Sequence, residues 1–217
     1  MDIKKLFSGA PATATICALC LLCYVAAAAQ ARSITNAVWD SRLGTAMVLY
    51  GPFVESEPWG WTRAVTAGFL HLDVTHVFVN VLMLALIGTE VERFVGTRAY
   101  ALAYGAGLLG SSATVLALNF DTPTAGASGA LYMLMAVLIA VAYRRHTDLR
   151  APFALLALNL AYSLLAPNVS LWGHVGGMAV GVVLARPLTD PRPRVRVAAG
   201  AAGLVAAGAG LALVVAS

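Results

Sequence analysis

The sequence predicts an all-α polytopic membrane protein, and three observations carry that prediction. Only 11% of the residues are charged and 60% are hydrophobic, against roughly 25% charged in soluble globular domains. Mean hydropathy is +0.81. The few charges gather between apolar runs, several long enough for a hydrocarbon core of about 30 Å, which takes roughly 20 helical residues. The 217 residues contain no low-complexity linker and no internal repeat, so a single domain of several spans is expected.

Pro11 to Ala29 is the first span. Lys4 and Lys5 ahead of it and Ala27-Ala28-Ala29 at its end also fit a signal peptide, but about 19 apolar residues are long for that role. A retained span is therefore expected. Cys17, Cys20 and Cys23 recur every three residues on it. With no other cysteine and no histidine nearby, they are read as packing residues, and neither a metal nor a cofactor is expected. His76 to Thr89, between Asp73 and Glu90, makes the second span, its helix opening near Phe69 to Asp73. Ala99 to Asn119 is the third, without a charge, and Ser128 to Tyr143 is the fourth, bounded by Arg144-Arg145. The uncharged run from Ala151 to Ala185 is too long for one crossing, and Pro167-Asn168 divides it into a fifth and a sixth. Ala198 to Ser217 is a seventh.

Basic residues in the short connections set the orientation. Lys4, Lys5, Arg93, Arg98, Arg144, Arg145, Arg150, Arg186, Arg192, Arg194 and Arg196 fall on one side, eleven of the 14 basic residues. That side is read as cytoplasmic, with the N-terminus inside and the C-terminus and the Gln30 to Gly68 connection external. A bacterial plasma membrane is the expected location. The net charge of +4 is read as topology and contact with anionic lipid of the bilayer; no nucleic-acid motif is present.

Two polar residues stand out because their surroundings offer little other chemistry. Ser128 lies in Gly126-Ala127-Ser128-Gly129 and His174 in Gly173-His174-Val175-Gly176-Gly177. A hydroxyl and an imidazole are the minimum pair for nucleophilic catalysis. At 1.5 Å per helical residue, Ser128 sits about 24 Å and His174 about 18 Å above the inner boundary, within about a helical turn of each other. His76 and Asn80, four apart on one helix face, lie at about 21 Å by the same rise. His71 and Asp73 sit at the start of that helix, where capping and chemistry are both open roles. Gly173, Gly177 and Gly181 form a small-residue stripe that allows a close helix approach, Gly129 offers a matching notch, and Gly126 permits a tight backbone before Ser128.

Taken together, Phe69-Leu70-His71, the spacing of His71, His76 and Asn80, Gly126-Ala127-Ser128-Gly129, and His174 followed by Gly177 and Gly181 resemble the rhomboid intramembrane serine proteases. The resemblance runs from about Trp61 to Ala185 in the family's order. It implies a cytoplasmic N-terminus over 1–9, a six-helix rhomboid-like core over 10–187, a basic linker over 188–197 and one additional C-terminal transmembrane helix over 198–217, a 6+1 arrangement. It also implies Ser128 as nucleophile and His174 as general base, a dyad without a carboxylate to orient the imidazole. Tyr132 matches the family's aromatic ring against the catalytic imidazole, although ordinary helix packing would also explain it. Asn80, His76 and the Ser128 backbone N–H match the oxyanion donors, with interhelical hydrogen bonding as the other reading of His76 and Asn80.

In Trp61-Thr62-Arg63, Arg63 matches the family's external-loop arginine and the tryptophan is displaced by one residue. Glu92 and Arg93 match structural contacts on the cytoplasmic side, or else form a solvated loop end. The implied substrate is the transmembrane segment of another protein, cut near its outer end beside a small residue. Two other classes compete. An inactive rhomboid-like client binder would be expected to lack the serine or the histidine, and a small transporter would more often carry acidic residues inside its spans.

Overall fold

The structure is a computed structural model that describes residues 3–166 and 169–216, and its regular elements are all helical apart from one isolated bridge. Seven long helices carry it: α1 (Pro11–Ala31), α2 (Val74–Val95), α3 (Thr97–Leu118), α4 (Ser128–Arg144), α5 (Arg150–Leu165), α6 (Leu171–Leu188) and α7 (Pro193–Ala216). Five of them, α1, α2, α3, α6 and α7, are long and apolar enough to cross a membrane, while α4 and α5 have 17 and 16 residues. The Pro167-Asn168 break between α5 and α6 lies outside the described residues. The chain is an integral, multi-pass membrane protein.

Helix α4 is the hub. Its residues Gly129 to Val137 are all buried, the pattern of a helix enclosed by others on every side. Leu131, Met133, Leu134 and Val137 pack in one cluster with Ile16, Cys17 and Cys20 of α1, Leu84 and Ile87 of α2, Tyr100 and Tyr104 of α3, and Leu184 of α6. The peripheral helices differ sharply: α7 buries only Gly200 and Leu211, and α5 only Ser163. Both expose large apolar side chains, Phe153, Leu158, Tyr162, Leu164 and Leu165 on α5 and Val205 and Leu213 on α7, as a lipid-facing surface requires.

Helix α2 departs from expectation at both ends. Asp73 ends the preceding loop and its carboxylate accepts the His76 backbone N–H at 2.9 Å, so the helix starts at Val74, and the turn at Ala67–Phe69 is a separate 3₁₀ element. The helix then widens into a π segment at Leu84–Gly88 and continues past Thr89 to Val95. Glu92 and Arg93 are therefore helical, and Glu92 is fully buried rather than a solvated loop end. Gly96, at φ 90°, a conformation that side chains disfavour, turns the chain directly into α3.

The reason charge is tolerated at Glu92 lies at the start of α1. Ala10 at the cap position has no acceptor side chain, and Pro11 opens the helix. Glu92 Oε1 accepts from Ala12 N–H at 3.0 Å and Thr97 Oγ1 at 2.8 Å, and Oε2 from Thr13 N–H and Thr13 Oγ1, both at 2.7 Å. A carboxylate distant in sequence thus caps α1, in the place where the helix dipole favours negative charge.

The two ends of the bundle differ in kind. At one end, Arg93 donates to the carbonyls of Leu6 and Ser8, Arg145 pairs with Glu90 at 2.8 Å, and Arg145 and Arg196 both lie over the Phe94 ring. Helix α7 begins at Pro193, so Arg194 and Arg196 belong to its first turns rather than to a linker. In the turn before it, the Arg192 guanidinium donates to Asp190 and holds that carboxyl down at about 2.

At the other end, the α1–α2 connection folds into helical turns at Arg42–Met47, Gly51–Ser56 and Arg63–Thr66. Arg63 is buried and holds this connection together, donating to the carbonyls of Thr45 and Val48 and to Glu57. Trp39, Trp59 and Trp61 stay exposed, a belt suited to a membrane interface. The connection meets the segment before α4 through paired backbone bonds between Leu49 and Thr124 and a bond from Gly126 N–H to the Ala67 carbonyl.

Candidate active site

Backbone contact brings the site together. A Cβ at Gly177 would lie 1.9 Å from the Gly129 carbonyl oxygen, one at Gly181 2.5 Å from that of Met133, and one at Gly129 2.1 Å from Ser111 Oγ. Only glycine lets α6 approach α4, and α4 approach α3, this closely. Ser128 is the first residue of α4, and His174 stands in the first turn of α6, whose start is capped by the Ser170 hydroxyl. The result is a Ser128 Oγ to His174 Nε2 distance of 2.7 Å, with His174 buried and Ser128 half-buried.

Tyr132, one turn into α4, stacks on the His174 ring with centroids 4.1 Å apart and planes at 14°. Nδ1 of His174 lies 2.7 Å from Ser163 Oγ of α5, and that oxygen is also 2.6 Å from the Tyr132 hydroxyl. No carboxylate takes the position behind the imidazole; a serine does. The sequence reading missed Ser163. Its signal is the i, i+4 pair Asn159 and Ser163 in a stretch otherwise almost wholly apolar, the same pattern that drew attention to His76 and Asn80.

The α2 residues reach the same layer from another side. A Cβ at Gly126 would lie 2.8 Å from His76 Nε2 and 3.8 Å from Ser128 Oγ, and Gly126 has φ 126°. Glycine is therefore required twice over, for space and for backbone conformation. His76 Nδ1 accepts the Leu72 backbone N–H at 3.3 Å, which leaves the proton of a neutral ring on Nε2, the nitrogen beside Gly126 and Ser128. His71 precedes the helix, is fully buried and meets the His76 ring edge-on at a centroid distance of 5.0 Å. Its Nδ1 donates to the Phe69 carbonyl at 3.3 Å.

Asn80 is buried, but its amide donates to the His76 carbonyl of its own helix at 2.9 Å, and its Oδ1 has no partner among the described residues. Among the described residues it forms no hydrogen bond to a neighbouring helix, which argues against interhelical bonding as its role.

Cys17 and Cys20 are buried in the α1 packing surface and Cys23 is half-buried. Among the described residues, no group of three or more His, Cys, Asp or Glu could hold a metal ion. Chemically, the site offers a hydroxyl paired with an imidazole and an N–H donor at His76 close by. Further backbone N–H groups lie at the start of α4, where the helix dipole favours a developing negative charge.

The rhomboid domain model matches residues 58–191. Rhomboid protease GluP of Bacillus subtilis is 33% identical over 138 residues, covering 61% of this chain and 27% of that protein. Rhomboid-related protein 3 of Homo sapiens is 26% identical over 156 residues, 63% of this chain and 38% of that protein. RHOMBOID-like protein 1 of Arabidopsis thaliana is 32% identical over 129 residues, 56% of this chain and 33% of that protein. The chain thus spans between about a quarter and two fifths of the length of these curated relatives.

Proposed function

Because the chain belongs to the rhomboid family, we propose that it is an intramembrane serine endopeptidase that cleaves transmembrane segments of other membrane proteins through Ser128 and His174. The observation that carries this reading is the 2.7 Å contact between Ser128 Oγ and His174 Nε2 beneath a stacked Tyr132 ring. In the first step Ser128 Oγ attacks the scissile carbonyl carbon while its proton passes to His174 Nε2. The carbonyl oxygen becomes an oxyanion, stabilised by His76 Nε2–H, the second Asn80 amide hydrogen and the Ser128 backbone N–H. As the C–N bond breaks, His174 returns the proton to the leaving amine. Water then attacks the acyl-enzyme, with His174 taking its proton and handing it back to Ser128, which frees the new carboxyl end.

A substrate helix shields its peptide bonds, so cleavage favours a segment that unwinds readily beside a small residue. The 6+1 division, with a core over 10–187, and a cytoplasmic N-terminus in a bacterial plasma membrane belong to the same proposal. An inactive client-binding role is disfavoured because both reactive groups are present and in contact. A transporter role is disfavoured because the buried carboxylate of the spans, Glu92, is occupied in capping α1.

The test is reaction with a serine-directed fluorophosphonate, together with cleavage of labelled single-span substrates in detergent. Ser128→Ala and His174→Ala are each expected to lose cleavage by about 10⁴-fold or more, the double variant losing no more than either single one, since the pair acts as a unit. Substantial turnover by a properly inserted single variant would remove the assignment.

A further inference from the structure

Ser163 is the only buried residue of α5, and it is polar. Every other side chain on that helix is at least partly exposed, yet this one hydroxyl meets both rings of the site, Tyr132 through its hydroxyl and His174 through Nδ1. Its third contact is the Asn159 carbonyl at 2.8 Å. A carbonyl can only accept, so all three contacts are satisfied together only when the single proton of the Ser163 hydroxyl goes to Asn159. In that arrangement the other two contacts are donors to Ser163 Oγ: the Tyr132 O–H and the His174 Nδ1–H.

We propose that Ser163 is a positioning residue that selects the Nδ1–H tautomer of His174 and so leaves Nε2 unprotonated toward Ser128. This rests on the reading of Ser128 and His174 as nucleophile and base. With the proton on Nε2 instead, the imidazole would donate to Ser128 Oγ and could not take its proton. When His174 becomes positively charged during the reaction, its Nδ1–H keeps the same acceptor, and the bond strengthens because its donor is then ionised. A carboxylate in that place would serve as orienter too, but would bury a negative charge at membrane depth. A hydroxyl whose own proton is tied to Asn159 gives the orientation without the charge. The acceptor is carried by α5, while nucleophile and base stand on α4 and α6, so the base is set by the seating of a third helix.

The tautomer is measured directly by ¹⁵N NMR of histidine-labelled protein in detergent, with the His174 signals assigned by their loss in His174→Gln. Wild type is expected to show a protonated Nδ1 and a bare Nε2, Ser163→Ala to lose that bias, and Ser163→Thr, which keeps a hydroxyl, to restore it. In parallel, the fluorophosphonate labelling rate and kcat of Ser163→Ala are expected to fall about 10- to 100-fold, with KM within about twofold. If Ser163→Ala fails to fold, Ser163→Cys, a weak acceptor of similar shape, gives the same reading. An unchanged tautomer, or wild-type labelling rates, in Ser163→Ala or Ser163→Cys overturns the role of Ser163. Absence of Ser128 labelling in wild type would instead overturn the protease reading, and the NMR result would stand apart from it.

Discussion

Asn80 holds one amide hydrogen on its own helix and leaves the other free, with an unpartnered Oδ1 in a buried setting. That arrangement is poor as structural glue and suited to a donor that finds its acceptor only when negative charge develops nearby. Asn80→Ala should therefore lower kcat by about 10- to 1,000-fold, around the range for one oxyanion donor, with little change in KM. Stability should fall by no more than about 1 kcal/mol, because no bond between helices is lost and an unsatisfied acceptor is removed with it. Steady-state kinetics and thermal unfolding in detergent check both halves. A variant that melts much earlier but keeps full kcat would make Asn80 structural and leave the oxyanion to His76 and the Ser128 N–H.

Helix α1 depends on a residue of another helix for its start. Four donors converge on Glu92, and Ala10 offers none of them an alternative. Glu92→Ala would strand those donors in a fully buried place, and a loss of about 3 kcal/mol or more is expected, since bonds to a charged acceptor contribute about 1.5 to 3 each and stranded groups carry a desolvation cost. Glu92→Gln keeps one acceptor oxygen and should lie between the two. Unfolding followed by fluorescence in detergent gives the ranking, and equal stability of all three forms would remove the capping role. The bonds of Glu92 run to Ala12, Thr13 and Thr97 and involve neither Ser128 nor His174, so the surviving folded fraction of Glu92→Gln should react with fluorophosphonate as wild type does.

The whole bundle is polarised. Arg93, Arg145 and Arg196 tie the N-terminal segment, the end of α2 and the start of α7 together at one end, while Arg63, the exposed tryptophans and the start of α4 mark the other. With basic residues retained on the cytoplasmic side, reporter fusions after Arg93, Arg145 and Arg194 should read cytoplasmic, and fusions after Glu55 and at the C-terminus external. An external reading at Arg145 would invert the orientation and place Ser128 toward the cytoplasm.

How much of this was legible beforehand depends on the range of the forces involved. Burial in lipid demands long apolar runs and internal backbone bonding, so the positions of α1, α3, α4 and α6 follow from local sequence to within a few residues. A lone serine and a lone histidine among small residues were conspicuous for the same reason, since polar groups at membrane depth are costly and few. The end of α2 was misplaced because Glu90, Glu92 and Arg93 look like a solvated boundary when only their own segment is considered. What reverses that reading is the uncapped start of α1, about 80 residues away in sequence. Ser163 was missed on the same ground, because nothing in its own segment names the partners that folding sets against it, His174 and Tyr132. The sequence by itself determined the solvent, the approximate spans and the conspicuous polar residues among them, because hydropathy and spacing act locally. Only the tertiary structure decided which carboxylate caps a helix and which hydroxyl stands against the imidazole, because a hydrogen bond is fixed by partners that the chain brings together across distant helices.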